Sequence, residues 1–292
     1  MQTLFKLAAF APLQLLRAAG LLLGLGVWLV SARYRQAFNT QWHQAISYWA
    51  SGRAGRALPA RAPRKIAAIG QAGVLLSELP KIWCRPETAR AMQSTGFAEM
   101  HAALGRGKGL IILTPHLGAF ELAARRIARE FPLTVLYRPA RKPWVEALLQ
   151  AFRSAEGVRA VPANAQGVRQ LLRALRQGEA IGLLPDQVPS QGEGLVSDFF
   201  GRPAYTMTLP IRLAQASGAA VAWATALRTP GGWSLSLELW KANEDGEEAE
   251  VSARLAEMPL EEALARMNQG LEDRIARAPE QYLWAYNRYK RL

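Results

Sequence analysis

Hydrophobic positions fall into three patterns along the chain. From residue 4 to residue 30 almost every position is apolar, interrupted by Lys6, Pro12, Gln14 and Arg17. The charge-free part, residues 18–32, is shorter than the ~20 apolar residues of a spanning helix. Counted from Leu7, with Arg17 tolerated or snorkelling, the length suffices. Trp28 near the far end, with Arg33 and Arg35 just beyond, matches the flanks of a membrane helix. Membrane attachment is expected, crossing once or lying in one leaflet; a secretory signal peptide and a buried core helix are the alternatives. Residues 34–63 turn polar and aromatic, with Trp42, Tyr48 and Trp49, and Gly52 and Gly55 break the chain into a loop. Such a segment suits a membrane–water interface, and equally an amphipathic helix packed on the main domain.

Beyond residue 105 short apolar runs alternate with helical stretches. Strands are expected over 110–114, 133–137, 158–161, 180–184, 219–228 and 233–240. Helices are expected over 119–130, 143–156 (Pro143 in the first turn, Gly157 as stop), 164–178 (Asn164 as cap), 206–217 closed by Gly218, and 260–278. An acidic loop covers 244–250. No internal repeat is evident. Repeated βα units predict an α/β fold with a mainly parallel central sheet covered by helices, its functional groups at the carboxyl ends of the strands. The expected organisation is a membrane anchor helix (1–33), a helical interfacial segment (34–104) and an α/β catalytic domain (105–292).

Composition narrows the class. Half of the 292 residues are hydrophobic and a fifth are charged, which excludes a disordered or fibrous chain. The net charge of +13 is uneven: residues 1–77 hold nine basic and no acidic residues, and residues 178–292 hold eleven basic against sixteen acidic. The basic field over the first 177 residues attracts phosphates, as on nucleic acid, anionic lipid or an acidic phosphorylated partner. Zinc-finger spacing and RNP-like aromatic pairs are absent, so a nucleic-acid partner is not expected. The single cysteine, Cys84, precludes an internal disulfide and fits a reducing, cytosol-facing chain. No ligand cluster suggests a metal, and the Gly105–Gly109 stretch lacks P-loop spacing.

One of three histidines, His116, follows a buried apolar strand, and Glu121 stands five residues on. With His116 in the loop and Glu121 in the first helical turns, the carboxylate could hold one ring nitrogen and leave the other as a general base. Gly118 permits the tight turn between them. A His–carboxylate pair with no nearby Ser or Cys nucleophile suggests activation of a substrate hydroxyl.

These residues, with Gly107-Lys108-Gly109, Tyr137-Arg138-Pro139, Arg153, Leu184-Pro185-Asp186-Gln187, Phe199-Phe200-Gly201, Pro210, Arg212, Trp284, Arg288 and Lys290, resemble the bacterial lipid A biosynthesis late acyltransferases, the lauroyl/myristoyl transferases of the HX4D/E group that includes glycerolipid acyltransferases. The chain departs from that pattern at Ala119-Phe120 and at Tyr286. The resemblance implies a glycerolipid-acyltransferase-like fold and direct acyl transfer from acyl-acyl carrier protein to a hydroxyl of a lipid A precursor, with no cofactor. It implies His116 as base, Glu121 as its partner and Arg153 as oxyanion donor. Arg138, Arg141 and Lys142 would bind a lipid phosphate or the acidic carrier, and Asp186 and Gln187 would position the acceptor or brace Arg153. The expected partners are the carrier, the glycolipid and the bilayer, at the bacterial inner membrane with the catalytic domain facing the cytoplasm. A related membrane acyltransferase acting on a lysophospholipid, ornithine lipid or other glycolipid is the alternative.

Overall fold

The computed structural model describes residues 2–52, 58–137, 157–240, 255 and 257–290. The expected helix over 143–156 and the acidic loop over 244–250 lie outside them. In chain order the helices that open the fold are α1 (Gln2–Ala8), α2 (Leu13–Val30), α3 (Ala32–Ala50), α4 (Lys65–Ile69), α5 (Gln71–Cys84) and α6 (Pro86–Arg90). There follow β1 (Gln93–Thr95), α7 (Phe97–Gly105), β2 (Leu110–Leu113), α8 (Phe120–Ile127), β3 (Leu133–Tyr137), β4 (Val158–Pro162), α9 (Ala165–Arg176) and β5 (Ala180–Leu183). The remainder is β6 (Gly194–Phe199), β7 (Arg202–Met207), α10 (Leu209–Ser217), β8 (Ala220–Thr229), β9 (Gly232–Leu239), α11 (Leu260–Arg277) and a 3-10 turn, Pro279–Gln281.

Seven strands form one sheet in the order β1-β9-β8-β2-β5-β3-β4, parallel at every neighbouring pair except β8–β9. The fold is thus the expected α/β class. The two central strands, β2 and β5, are buried along their whole length, which is why they read as unbroken apolar runs. One hydrophobic core, under α3, α9, α10 and α11, covers one face of the sheet. A second core, under α5, α7 and α8, covers the other. The sheet begins before residue 105, because β1 already pairs with β9.

Two local expectations change. Thr206 and Met207 belong to β7, and the helix starts at Leu209. The β6–β7 pair is an antiparallel hairpin turned at Phe200 and Gly201, both at positive φ, 49° and 65°. Phe199 and Phe200 are buried in the core.

Among the described residues α2 alone is long and apolar enough to cross a bilayer, 18 residues at mean hydropathy 1.8. It does not stand free. It crosses α5 where glycine meets glycine: a Cβ on Gly73 would lie 2.0 Å from the Gly20 carbonyl oxygen, and one on Gly24 would lie 2.6 Å from that of Gly70. Arg17 turns inward rather than snorkelling. It donates to the buried Glu78 at 2.7 Å and to the carbonyls of Thr229 (2.5 Å) and Gly232 (2.6 Å). Arg228 completes Glu78 from the other side at 2.7 Å. The outer side of α2 leaves Leu15, Leu22, Leu29 and Val30 exposed. α3 packs on the main domain, with Phe38, Trp42 and Trp49 buried and both tryptophans edge-on to Trp284.

Candidate active site

The loop after β2 is pinned on every side. Thr114 N–H donates to the Leu183 carbonyl, Gly118 N–H to Gln281 and Ala119 N–H to Ala226. Gly118 is at φ 59°, and a Cβ there would sit 1.9 Å from the Ala226 oxygen, so only glycine fits. The His116 carbonyl in turn accepts from Leu283 N–H at 3.1 Å.

The register of the sheet decides which residue meets the ring. Leu113 on β2 pairs with Leu183 on β5. His116 and Asp186 each stand three residues past that pair, so they leave the sheet side by side. The His116 backbone N–H donates to Asp186 Oδ2 at 2.9 Å, and the ring Nδ1–H donates to Asp186 Oδ1 at 2.7 Å. With the proton on Nδ1, Nε2 carries the lone pair, and the Gln187 amide donates to it at 3.0 Å. The Phe120 ring packs edge-on to the imidazole with centroids 4.9 Å apart.

Asp186 is almost fully buried. Burial by itself would raise its pKa. The charge of His116, the two hydrogen bonds from that residue and the charge of Arg288 outweigh it, so the carboxyl sits below the ordinary value. Tyr282 also hydrogen-bonds Asp186; burial and then that carboxylate push its phenol well above the usual range. Arg288 is fully buried, donating to the Tyr205 carbonyl at 2.6 Å and the Thr206 hydroxyl at 2.8 Å. Its backbone N–H donates to Gln41 of α3, whose amide also donates to the Trp284 and Tyr286 carbonyls. α3 therefore holds the C-terminal segment that supports Asp186.

This corrects the expected pairing of His116 with Glu121. The ring nitrogen assigned to Glu121 is occupied by Asp186. Glu121, in the first turn of α8, instead lines the same pocket as His116 and accepts from Trp83 Nε1 at 3.4 Å. Asp186, expected to position the acceptor or brace Arg153, is turned toward the His116 ring and buried. Gln187 does line the pocket. Arg138, Arg141, Lys142 and Arg153 lie outside the described residues, although Tyr137, just before Arg138, lines the pocket.

The pocket has a volume of about 340 Å³. Its walls are mostly apolar, from Phe120, Val135, Leu136, Leu183, Leu184, Val188 and Met207. Arg125, one turn after Glu121, is a lining residue that sequence reasoning missed; its i, i+4 spacing from Glu121 was the available signal. Burial lowers its pKa, and the Glu121 charge opposes that shift. Among the described residues no group of three or more His, Cys, Asp or Glu is placed to hold a metal.

An α/β sheet that presents a carboxylate-held histidine at the mouth of an apolar pocket suits base-assisted chemistry on a lipid-like substrate. Comparison with known proteins specifies the chemistry. The family model for bacterial lipid A biosynthesis acyltransferases matches residues 63–291, and the chain belongs to this family. The lipid A biosynthesis palmitoleoyltransferase of Escherichia coli is 26% identical over 223 residues, 75% of this chain and 68% of that one. The lauroyltransferase of the same organism is 25% identical over 223 residues, 75% of this chain and 69% of the relative. A lipid A biosynthesis acyltransferase of Haemophilus influenzae is 24% identical over 265 residues, 89% and 77% of the two chains. The chain is thus an acyltransferase of lipid A biosynthesis.

Proposed function

We propose that this chain transfers a fatty acyl group from acyl-acyl carrier protein to a hydroxyl of a lipid A precursor, with His116 as general base. The observation that carries the reading is the ring itself: Nδ1 is held by a buried carboxylate, and Nε2 faces an apolar pocket. The acceptor hydroxyl takes the place of the Gln187 amide at Nε2 and gives up its proton there. The oxygen attacks the thioester carbonyl; the C–O bond forms, and the carbonyl electrons move onto the oxyanion. Collapse breaks the C–S bond, and the thiolate leaves with the proton from the imidazolium. Asp186 balances the charge on the ring throughout. Glu121 faces the acceptor and Arg125 rather than the ring. Arg153 remains the proposed oxyanion donor, and Arg138, Arg141 and Lys142 the proposed contacts for phosphate or carrier. The reaction calls on no cofactor.

In this reading residues 1–33 anchor the chain, the helices between them and β1 brace it at the interface, and the α/β domain from β1 onward carries catalysis, at the bacterial inner membrane with the site open to the cytoplasm. The apolar, outward side of α2 supports the anchoring role. Mass spectrometry of lipid extracts from cells with and without the chain tests the function. One added acyl group on lipid A is expected; unchanged lipid A with altered phospholipids would assign the chain another acceptor.

A further inference from the structure

The sheet has a charged surface that the site does not use. α9 follows β4 directly; Ala163, between them, lines the His116 pocket, as do Val158 and Ala160 within β4. On the outside of α9, Arg169, Arg173 and Arg176 stand at i, i+4 and i+7, all exposed. With Arg159 of β4, two of these arginines and Gln166, Gln170 and Gln177 line an open groove of about 560 Å³. Arg159 faces Glu179 at 3.5 Å. Among the described residues no carboxylate lies within ion-pair distance of Arg169, Arg173 or Arg176. Three exposed arginines along one side of a helix, with amides beside them, offer a set of donors for carboxylates.

We propose that this groove docks the acidic surface of the protein that delivers the acyl chain. The inference rests on the carrier-borne donor of the proposed function and assigns where that carrier sits. Charge complementarity points to an acidic partner. The distribution of apolar surface separates a protein from a bilayer. Exposed large hydrophobics gather mainly on the N-terminal helices α1, α2, α4 and α5, with Leu22, Val30, Ile66 and Leu76 among them and Val196 of β6 apart from these, and α9 has none. α5 packs on the opposite face of the sheet from α9, whereas α4 shares the core under α9. The surface of these N-terminal helices thus suits lipid, and α9, without an exposed large hydrophobic, faces water. A carrier docked there delivers its thioester over the β4–α9 junction, at the wall of the pocket, while the lipid acceptor enters from the apolar side.

The test is steady-state kinetics of the full chain in detergent micelles, with acylated acyl carrier protein as donor. The R169E/R173E/R176E variant should raise KM for the carrier by about tenfold or more, with kcat within about twofold, because rim charges act on encounter. Raising salt should raise the wild-type KM toward that of the variant. The neutral R169Q/R173Q/R176Q variant should fall between the two. An unchanged KM in both variants overturns the docking site while leaving the proposed function standing. So does an unchanged KM with lost binding to phosphatidylglycerol vesicles, which would make the groove a lipid contact. A wild-type chain that accepts acyl-CoA but never the carrier overturns the carrier-borne donor itself, and the docking site with it.

Discussion

Two carboxylates flank the His116 pocket, and they differ in everything except charge. Asp186 is buried, receives two hydrogen bonds from His116 and has Tyr282 and Arg288 behind it. Glu121 lies in the wall of the pocket, with a long contact to Trp83 and the charge of Arg125 beside it. The first is built into the sheet; the second is offered to whatever enters. Separation along the chain misleads here. Glu121 is five residues from His116 and does not hold its ring, whereas Asp186 is seventy residues away and does.

The expected effects follow that contrast. His116→Ala should cut acyl transfer by about 10²–10⁴-fold with the fold intact, the usual worth of a general base. Asp186→Asn should cost about 10²–10³-fold, since the amide no longer fixes the tautomer or balances the imidazolium. Both are read in a transfer assay with purified protein. Glu272 asks whether burial or a cationic partner sets the state of Asp186. It is also buried, accepting from Phe200 N–H at 2.6 Å, but no cation pairs with it among the described residues, and burial pushes its pKa up to about 7. Its folded pKa lies above the unfolded value, so its contribution is present at acid pH and lost as pH rises through about 7. Denaturant unfolding should show the wild type losing up to about 3 kcal/mol between pH 4.5 and 8 relative to Glu272→Gln. For Asp186 the sign reverses. Its contribution is present above its unfolded pKa of about 3.9 and falls away as pH drops through the lower folded value. Glu121→Gln should cost the least, about tenfold or roughly 1.4 kcal/mol of barrier, because an amide can still meet the acceptor. A loss as large as that of Asp186→Asn would erase the distinction between the two carboxylates.

What the sequence revealed depended on how local the cause was. The runs at 110–113 and 180–183 could be read because strands buried on both faces have no polar positions. Asn164 could be read as a cap because its side chain takes Gly167 N–H, three residues on. The β6–β7 hairpin was missed because most of its positions are half-buried or exposed, which leaves no apolar run, and its turn places a phenylalanine at positive φ. Asp186 was seen as a site residue but given the wrong task, since only the β2–β5 register brings it beside His116. Counting three residues past the matched ends of neighbouring strands would have found it. Arg17, an interruption in an apolar helix, gave no sign that Glu78 and the β8–β9 turn would receive it.

The most direct measurement of the central claim, that Asp186 holds His116 as the base, is the ¹⁵N spectrum of the histidine rings. The chain has three histidines, His43, His101 and His116, so single substitutions at the other two assign the third. The account predicts a His116 ring protonated at Nδ1 with Nε2 bare at neutral to mildly basic pH, a pattern lost in Asp186→Asn and kept in Glu121→Gln. A ring protonated at Nε2, or one that responds to Glu121→Gln and ignores Asp186→Asn, would contradict it.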